Sequence, residues 1–324
     1  MSRNGTVVDI DTLLPTGIRE NVGLAEVFAR ARLGDLFGAI DQAMARLEEG
    51  TLDPKEAVVL RKHVVDWYSA LGLDMDAHRQ ARIVAHDARS HLGATHPVTL
   101  LTRSSELYWM CMTGYDEVAR KQFPALIKDC EKHIGGDHEL TLAVRINSAM
   151  PLKRGGDFQA AARIYRRILS DMRVAHPRID PTVLTVRDNL AEVLALDERY
   201  EESTTLYEEI LADLLGMLGP GDHRILRVRG EIATNTYCSG RTEEAVQLWG
   251  VLAEDCRRHL GESHPETVRQ RTLQIALAVG TGDRDGVIHW CRLLLDHLPE
   301  DFDSADAAAF AEMLEDFESG RAGS

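Results

Sequence analysis

An all-α fold, a solenoid of stacked 42-residue helix–turn–helix repeats, is the class that this 324-residue sequence predicts. Four observations predict it. Arg61, Arg103, Arg145, Arg187, Arg229 and Arg271 follow one another at intervals of 42 residues. A glycine marker keeps the same step at Gly72, Gly114, Gly156, Gly240 and Gly282, with Glu198 in the remaining slot. Five residues after the marker stand Ala77, Ala119, Ala161, Ser203, Ala245 and Val287, small in every copy but the last. Nine residues after it, Phe123, Tyr165, Tyr207 and Trp249 are aromatic in four successive copies. A fixed period of roughly 20–50 residues marks a stacked repeat protein, in which each copy buries its apolar face against its neighbours.

Taken in order, residues 1–53 read as an N-terminal helical cap or a degenerate repeat. Helical stretches fall around 19–32 and 36–49, with the glycine displaced to Gly34, and residues 1–15 are expected to be disordered. Six repeats follow at 54–95, 96–137, 138–179, 180–221, 222–263 and 264–305. In the second, His96-Pro97 opens a helix, because proline suits a first turn whose N–H would be unpaired anyway. Leu100, Leu107 and Met110 carry that helix to Thr113-Gly114, where glycine ends it. A second helix over 115–133 puts Val118, Ala119, Phe123, Leu126, Ile127 and Cys130 on one face. The first repeat has Asp53-Pro54 for His-Pro, and the third carries Pro151 inside its first helix. Pro151 removes one helical hydrogen bond and should kink that helix. Residues 306–324 form a C-terminal cap and tail: an amphipathic helix over 304–317 covers the last open face, and 318–324 are expected to be disordered. Fourteen to sixteen helices and no sheet are expected.

The balance of 52 acidic against 37 basic side chains, −15 overall, argues against nonspecific nucleic-acid binding. The opening residues lack a secretory apolar stretch, and no run approaches the roughly 18–20 apolar residues of a membrane helix. Five cysteines without CxxC spacing read as reduced thiols, which points to the cytoplasm. Neither nucleic acid nor membrane is an expected partner.

These motifs resemble the tetratricopeptide repeat, in the 42-residue form of kinesin light chains and many bacterial regulatory proteins. The resemblance rests on His96-Pro97-Val98-Thr99-Leu100, His264-Pro265-Glu266-Thr267-Val268, Arg187-Asp188-Asn189-Leu190-Ala191, Gly240-Arg241-Thr242-Glu243-Glu244-Ala245 and His259-Leu260-Gly261. It implies a right-handed superhelix whose first helices line a concave groove. Read onto this chain, the groove would carry Lys62, His63, Tyr108, Asn147, Lys153, Arg154, Asn189, Arg227, Tyr237 and Arg269. Asn147 and Asn189 stand one period apart where kinesin light chains carry an asparagine ladder. An amide offers donor and acceptor to an extended peptide backbone, and neighbouring cations favour carboxylates. The expected partner is therefore a protein, held by an acidic, extended segment. Asp66, Asp188, Glu192 and Glu231 share the groove and oppose that charge.

The six arginines have two readings: a packed stem at the seam between repeats, paired with an acid or carbonyl, or a ligand ladder. His91/His96, His133/His138 and His259/His264 share a spacing that suggests metal, but each pair closes one helix and opens the next. No metal or cofactor is expected. GxxxxGK[ST], GxSxG, HExxH and GxGxxG are missing, so no residue is named catalytic. An accessory enzyme, or a sensor of a small molecule or signal peptide, is the alternative to the scaffold. Oligomeric state is left open.

Overall fold

The computed structural model describes residues 10–14, 24–172, 177–299 and 303–320. The disorder expected at 1–9, 15 and 321–324 lies outside them, as does the start of the helix expected at 19–32. Among the described residues every regular element is helical. The chain divides into two compact units, Met1–Val186 and Arg187–Ser324.

The first unit holds α1 (Ile10–Leu13), α2 (Ala25–Arg32), α3 (Leu36–Glu48), α4 (Pro54–Ala70), α5 (Asp74–Leu92), α6 (Pro97–Met112), α7 (Asp116–His133), α8 (Glu139–Asn147), α9 (Met150–Arg154) and α10 (Phe158–Met172). The boundary falls inside α11 (Pro181–Leu196). The second unit continues with α12 (Tyr200–Leu215), α13 (His223–Cys238), α14 (Thr242–Leu260), α15 (Pro265–Thr281), α16 (Arg284–Leu295) and α17 (Ser304–Ser319). Within each unit, helices adjacent in the chain are the main packing partners. Counting α8–α9 as one helix and leaving out the single turn α1, the described residues hold fifteen helices.

Local chemistry starts and stops these helices. The ring Nδ1 of His96, His138 and His264 accepts from the main-chain N–H two residues on, at 3.1–3.2 Å. Asp180 and Asp222 accept in the same way at 2.8 and 2.9 Å. Each thereby satisfies one of the amides that a helix start leaves without an intrahelical acceptor. Asp53 caps α4 one residue ahead of that register. At the other end, the glycine markers adopt positive φ from 70° to 90°. The residue after each marker donates back five positions, from Leu73 to Tyr68 through Asp283 to Ala278, at 2.8–3.1 Å. This is the Schellman closure, and it needs a left-handed residue at the marker. Glu198 supplies it with φ 59°, alone among the described non-glycine residues.

Behind the turn, Ala77, Ala119, Ala161, Ser203, Ala245 and Val287 are all fully buried. Their size sets how closely the second helix approaches the first. Ser203 is tolerated because its hydroxyl donates to the Ala191 carbonyl at 2.7 Å. Phe123, Tyr165, Tyr207 and Trp249 fill the space beyond, each burial worth about 1.5–3 kcal/mol.

Three expectations need correction. Ile10–Leu13 is helical and Ile10 is buried, because α1 finds an apolar seat against α4 and α6. Residues 318 and 319 are helical too, since α17 continues to a left-handed cap at Gly320, and Arg292 pairs with Glu318 at 2.6 Å. Val118, placed on the buried face of α7, is 45% exposed. It precedes Ala119 by one residue, and a rotation of about 100° carries it off the apolar stripe. At Pro151 the helical hydrogen bonding is interrupted as expected: α8 ends at Asn147 and α9 begins at Met150, while Ser148 and Ala149 between them keep right-handed helical backbone angles. Proline has no N–H for the Asn147 carbonyl, and its ring would meet that carbonyl in a continuous helix.

Candidate functional site

The 42-residue arginines meet a second ladder. Arg103 Nη1 donates to Asp129 at 2.8 Å, and Arg187 Nη1 to Asp213 at 2.5 Å. Arg145 pairs with Asp171 and Arg229 with Asp255 in the same manner. Arg61 Nε lies 3.5 Å from Asp87, while its Nη1 donates to Gln80 at 2.8 Å. Every one of these aspartates stands 26 residues after its arginine. Each bond therefore ties the first helix of a copy to the second helix of the same copy, within the pair and not at the seam between copies. Arg271 is the exception, bonded to the Glu262 carboxylate and to the carbonyls of Leu293 and Glu262 at 3.1 and 3.3 Å. All six guanidinium groups are engaged inside the protein. The aspartate ladder escaped the sequence reading, although the same 42-residue scan that finds the arginines would have found it.

In the first unit the groove candidates divide by depth. Lys62 is buried on α4 and donates to Asp66 at 2.5 Å. His63 is buried with it, edge-on to Phe28 of α2 at 5.2 Å and stacked at 6.0 Å on Trp67. Both are withdrawn from solvent. Tyr108 is partly exposed on α6, its ring edge-on to Trp109. Asn147 and Lys153 flank the α8–α9 break, Asn147 nearly buried and Lys153 partly exposed. Arg154, at the end of α9, is exposed and donates from Nε to Asp116 at 3.0 Å. The break thus gathers an amide and two cations within a few residues.

The second unit carries a different balance. Arg227 Nη2 donates to Asp188 at 2.9 Å. Burial alone would depress the Arg227 guanidinium, but Asp188, Tyr207 and Glu231 outweigh it and raise its pKa. Burial raises the Glu231 carboxyl, with Asp188 and Glu192 adding to the rise and Arg227 and Arg269 opposing it. Arg269 is exposed and bidentate on Glu266, at 3.0 and 2.7 Å. Asn189 is partly exposed, and Tyr237 is exposed with its ring 5.7 Å from that of Trp249. Here Asp188 and Glu231 answer the Arg227 guanidinium, and Glu192 and Arg269 both act on Glu231, so cations and carboxylates offset one another. Lys62, Arg154, Arg227 and Arg269 each have an internal carboxylate partner.

Among the described residues no group of three or more His, Cys, Asp or Glu could hold a metal ion. Burial pushes the thiols of Cys111 and Cys130 up to about 12 and that of Cys256 to about 11, which makes them poor nucleophiles. No described helix is long and apolar enough to cross a membrane.

The tetratricopeptide repeat family matches residues 183–224 and 225–266, two consecutive lengths of 42 in step with the arginine register. Among curated proteins none matches the chain by sequence. The kinesin-light-chain repeats of Podosopora anserina are similar in structure, with TM-score 0.54 and 17% identity over 61% of this chain and 93% of that one. A tetratricopeptide repeat protein from Parabacteroides merdae has TM-score 0.55 and 12% identity, covering 93% of this chain and 99% of its own. The STAND signal-transduction ATPase with a tetratricopeptide repeat sensor from Pyrococcus horikoshii reaches TM-score 0.61 at 13% identity, over 94% of this chain but 45% of that one. At such identities the likeness speaks for the fold. With its 42-residue helix pairs and left-handed markers the chain has a tetratricopeptide-repeat-like fold, and two of its copies match that family.

Proposed function

We propose that this protein is an adaptor or regulator that holds an acidic, extended peptide segment of a partner protein on the first helices of its repeats, in the cytoplasm. The observation that carries the reading is the α8–α9 break. Asn147, itself buried, has a main-chain carbonyl there that Pro151 cannot bond. Lys153 and Arg154 stand within two turns of it, and Arg154 has one internal bond, leaving further guanidinium donors for a carboxylate. The carboxylates around Arg227 do not supply the same field, so the first unit carries the affinity for the acidic segment. Tyr108 adds a flat apolar contact from α6.

The test is a titration of partner-derived peptides against the full chain. Reversing both charges with Lys153→Glu and Arg154→Glu should abolish binding of the acidic segment, and rising salt should weaken the unaltered protein's affinity. Recovery of a basic segment, or an affinity indifferent to both salt and charge reversal, would overturn the reading.

A further inference from the structure

Outside the groove candidates, the first unit contains a cavity of about 580 Å³, bounded by α7 on one side and α10 on the other with the α8–α9 break between them. Its size falls within the roughly 300–1,000 Å³ of small-molecule sites. Phe123, Ile127, Leu152, Ile164 and Ile168 make its walls apolar. The break helps to open it: Ser148 and Leu152, on either side of the interruption, both line it.

Three guanidinium groups reach this cavity, from Arg120, Arg145 and Arg167, against two carboxylates, Glu131 and Asp171. Arg145 and Asp171 neutralise each other. Arg120 stands between two carboxylates outside the lining, 3.5 Å from Glu117 and 4.0 Å from Asp157, and among the described residues it has no shorter ion pair. Among the described residues Arg167 forms no ion pair. Two under-used guanidinium forks therefore stand over an apolar chamber, on a protein whose net charge is −15.

The repeat register says that stacking does not require them. The slots equivalent to Arg120 hold His78, Ala162, Thr204, Val246 and Ile288. Those equivalent to Arg167 hold Ile83, Ala125, Glu209, Val251 and Leu293. Residues that every helix pair needs, such as the ladder arginines, recur at each period. Arg120 and Arg167 occur once each, on the two facing walls of one cavity. We propose that this cavity binds a small amphipathic anion, an apolar chain or ring carrying one carboxylate, with the tail among Phe123, Ile164 and Ile168 and the head shared by Arg120 and Arg167. The planar fork of arginine matches a carboxylate in a bidentate fashion. The site shares no residue with the peptide groove and does not depend on that reading.

Calorimetric titration of the full chain with octanoate, octylammonium and acetate tests it. Octanoate should saturate one site per chain, whereas octylammonium carries the opposite charge and acetate lacks the tail. The double variant Arg120→Ala, Arg167→Ala should weaken octanoate by at least about tenfold, the scale of losing one charge-assisted bond, with an unchanged melting temperature since both side chains are exposed. Ile164→Trp, which fills the chamber and keeps both arginines, should weaken octanoate as well. Equal binding of octylammonium, no saturable octanoate binding, or affinity indifferent to both variants would each overturn the assignment.

Discussion

The helix pairs α11–α12 and α15–α16 each break one rule of the repeat and keep the other. The pair α11–α12 has the standard rung, Arg187 to Asp213, with Glu209 at 3.3 Å as a second acceptor, but its turn puts Glu198 where the other copies have glycine. The pair α15–α16 has a relaxed turn at Gly282 but no standard rung. The slot 26 residues after Arg271 is His297, which cannot serve a guanidinium as a carboxylate would. That slot also lies beyond the end of α16 at Leu295, whereas Asp255 and Asp213 sit inside their helices. Arg271 turns instead to Glu262, ahead of its own helix, and to the Leu293 carbonyl. Turn and rung are thus separate devices, since each pair holds together with one of them altered.

Three experiments would break or sharpen this comparison. The largest effect is expected from the rungs. Arg271 is 2% exposed and supports two main-chain carbonyls besides a carboxylate, so Arg271→Ala should cost about 2–4 kcal/mol in chemical denaturation. Arg187→Ala should cost less, about 1–3 kcal/mol, because Asp213 and Glu209 regain water when the guanidinium goes. The reverse order would mean that the aspartate rung, and not burial, carries the stabilisation. Second, Glu198→Gly should stabilise the protein by about 1 kcal/mol, relieving a side chain held in the left-handed region. A neutral result would show that the turn bears no strain.

The smallest effect is the response to acid. The Glu262 carboxyl lies below its ordinary range chiefly because Arg271 donates to it, against an opposing contribution from burial, with Arg257 adding to the depression. Its folded value lies below the unfolded one, so its stabilisation is complete above the ordinary glutamate range. It is lost as pH falls through the depressed value. Acid titration of Arg271→Ala should therefore show a shallower loss of stability over that window than the unaltered protein. Equal slopes would remove Glu262 from the account of this rung.

Much of the fold was legible because it is written locally. The marker glycines and the His-Pro and Asp starts act through bonds spanning two to five positions, the small residue after each turn acts through its size, and a fixed period displays them all in the sequence. The site was less legible. Lys62 and His63 sit at groove offsets of the repeat, yet they are buried, His63 against Phe28 of α2, a helix outside the 42-residue register. Arg154, Arg227 and Arg269 counted as positive charge in the sequence, while the carboxylates that answer them lie three to 39 residues away.

By itself the sequence determined the period, the helix pairs, the left-handed turns that close the first helices and the interruption at Pro151, all consequences of backbone chemistry within a few residues. Tertiary structure alone decided which carboxylate each arginine meets, which groove candidates stay exposed, and that Arg120 and Arg167 stand on facing walls of one cavity. Those outcomes depend on the length of each helix and on how its neighbour packs, so a side chain and its partner 26 residues on are brought together by the approach of two helices, which no local pattern specifies.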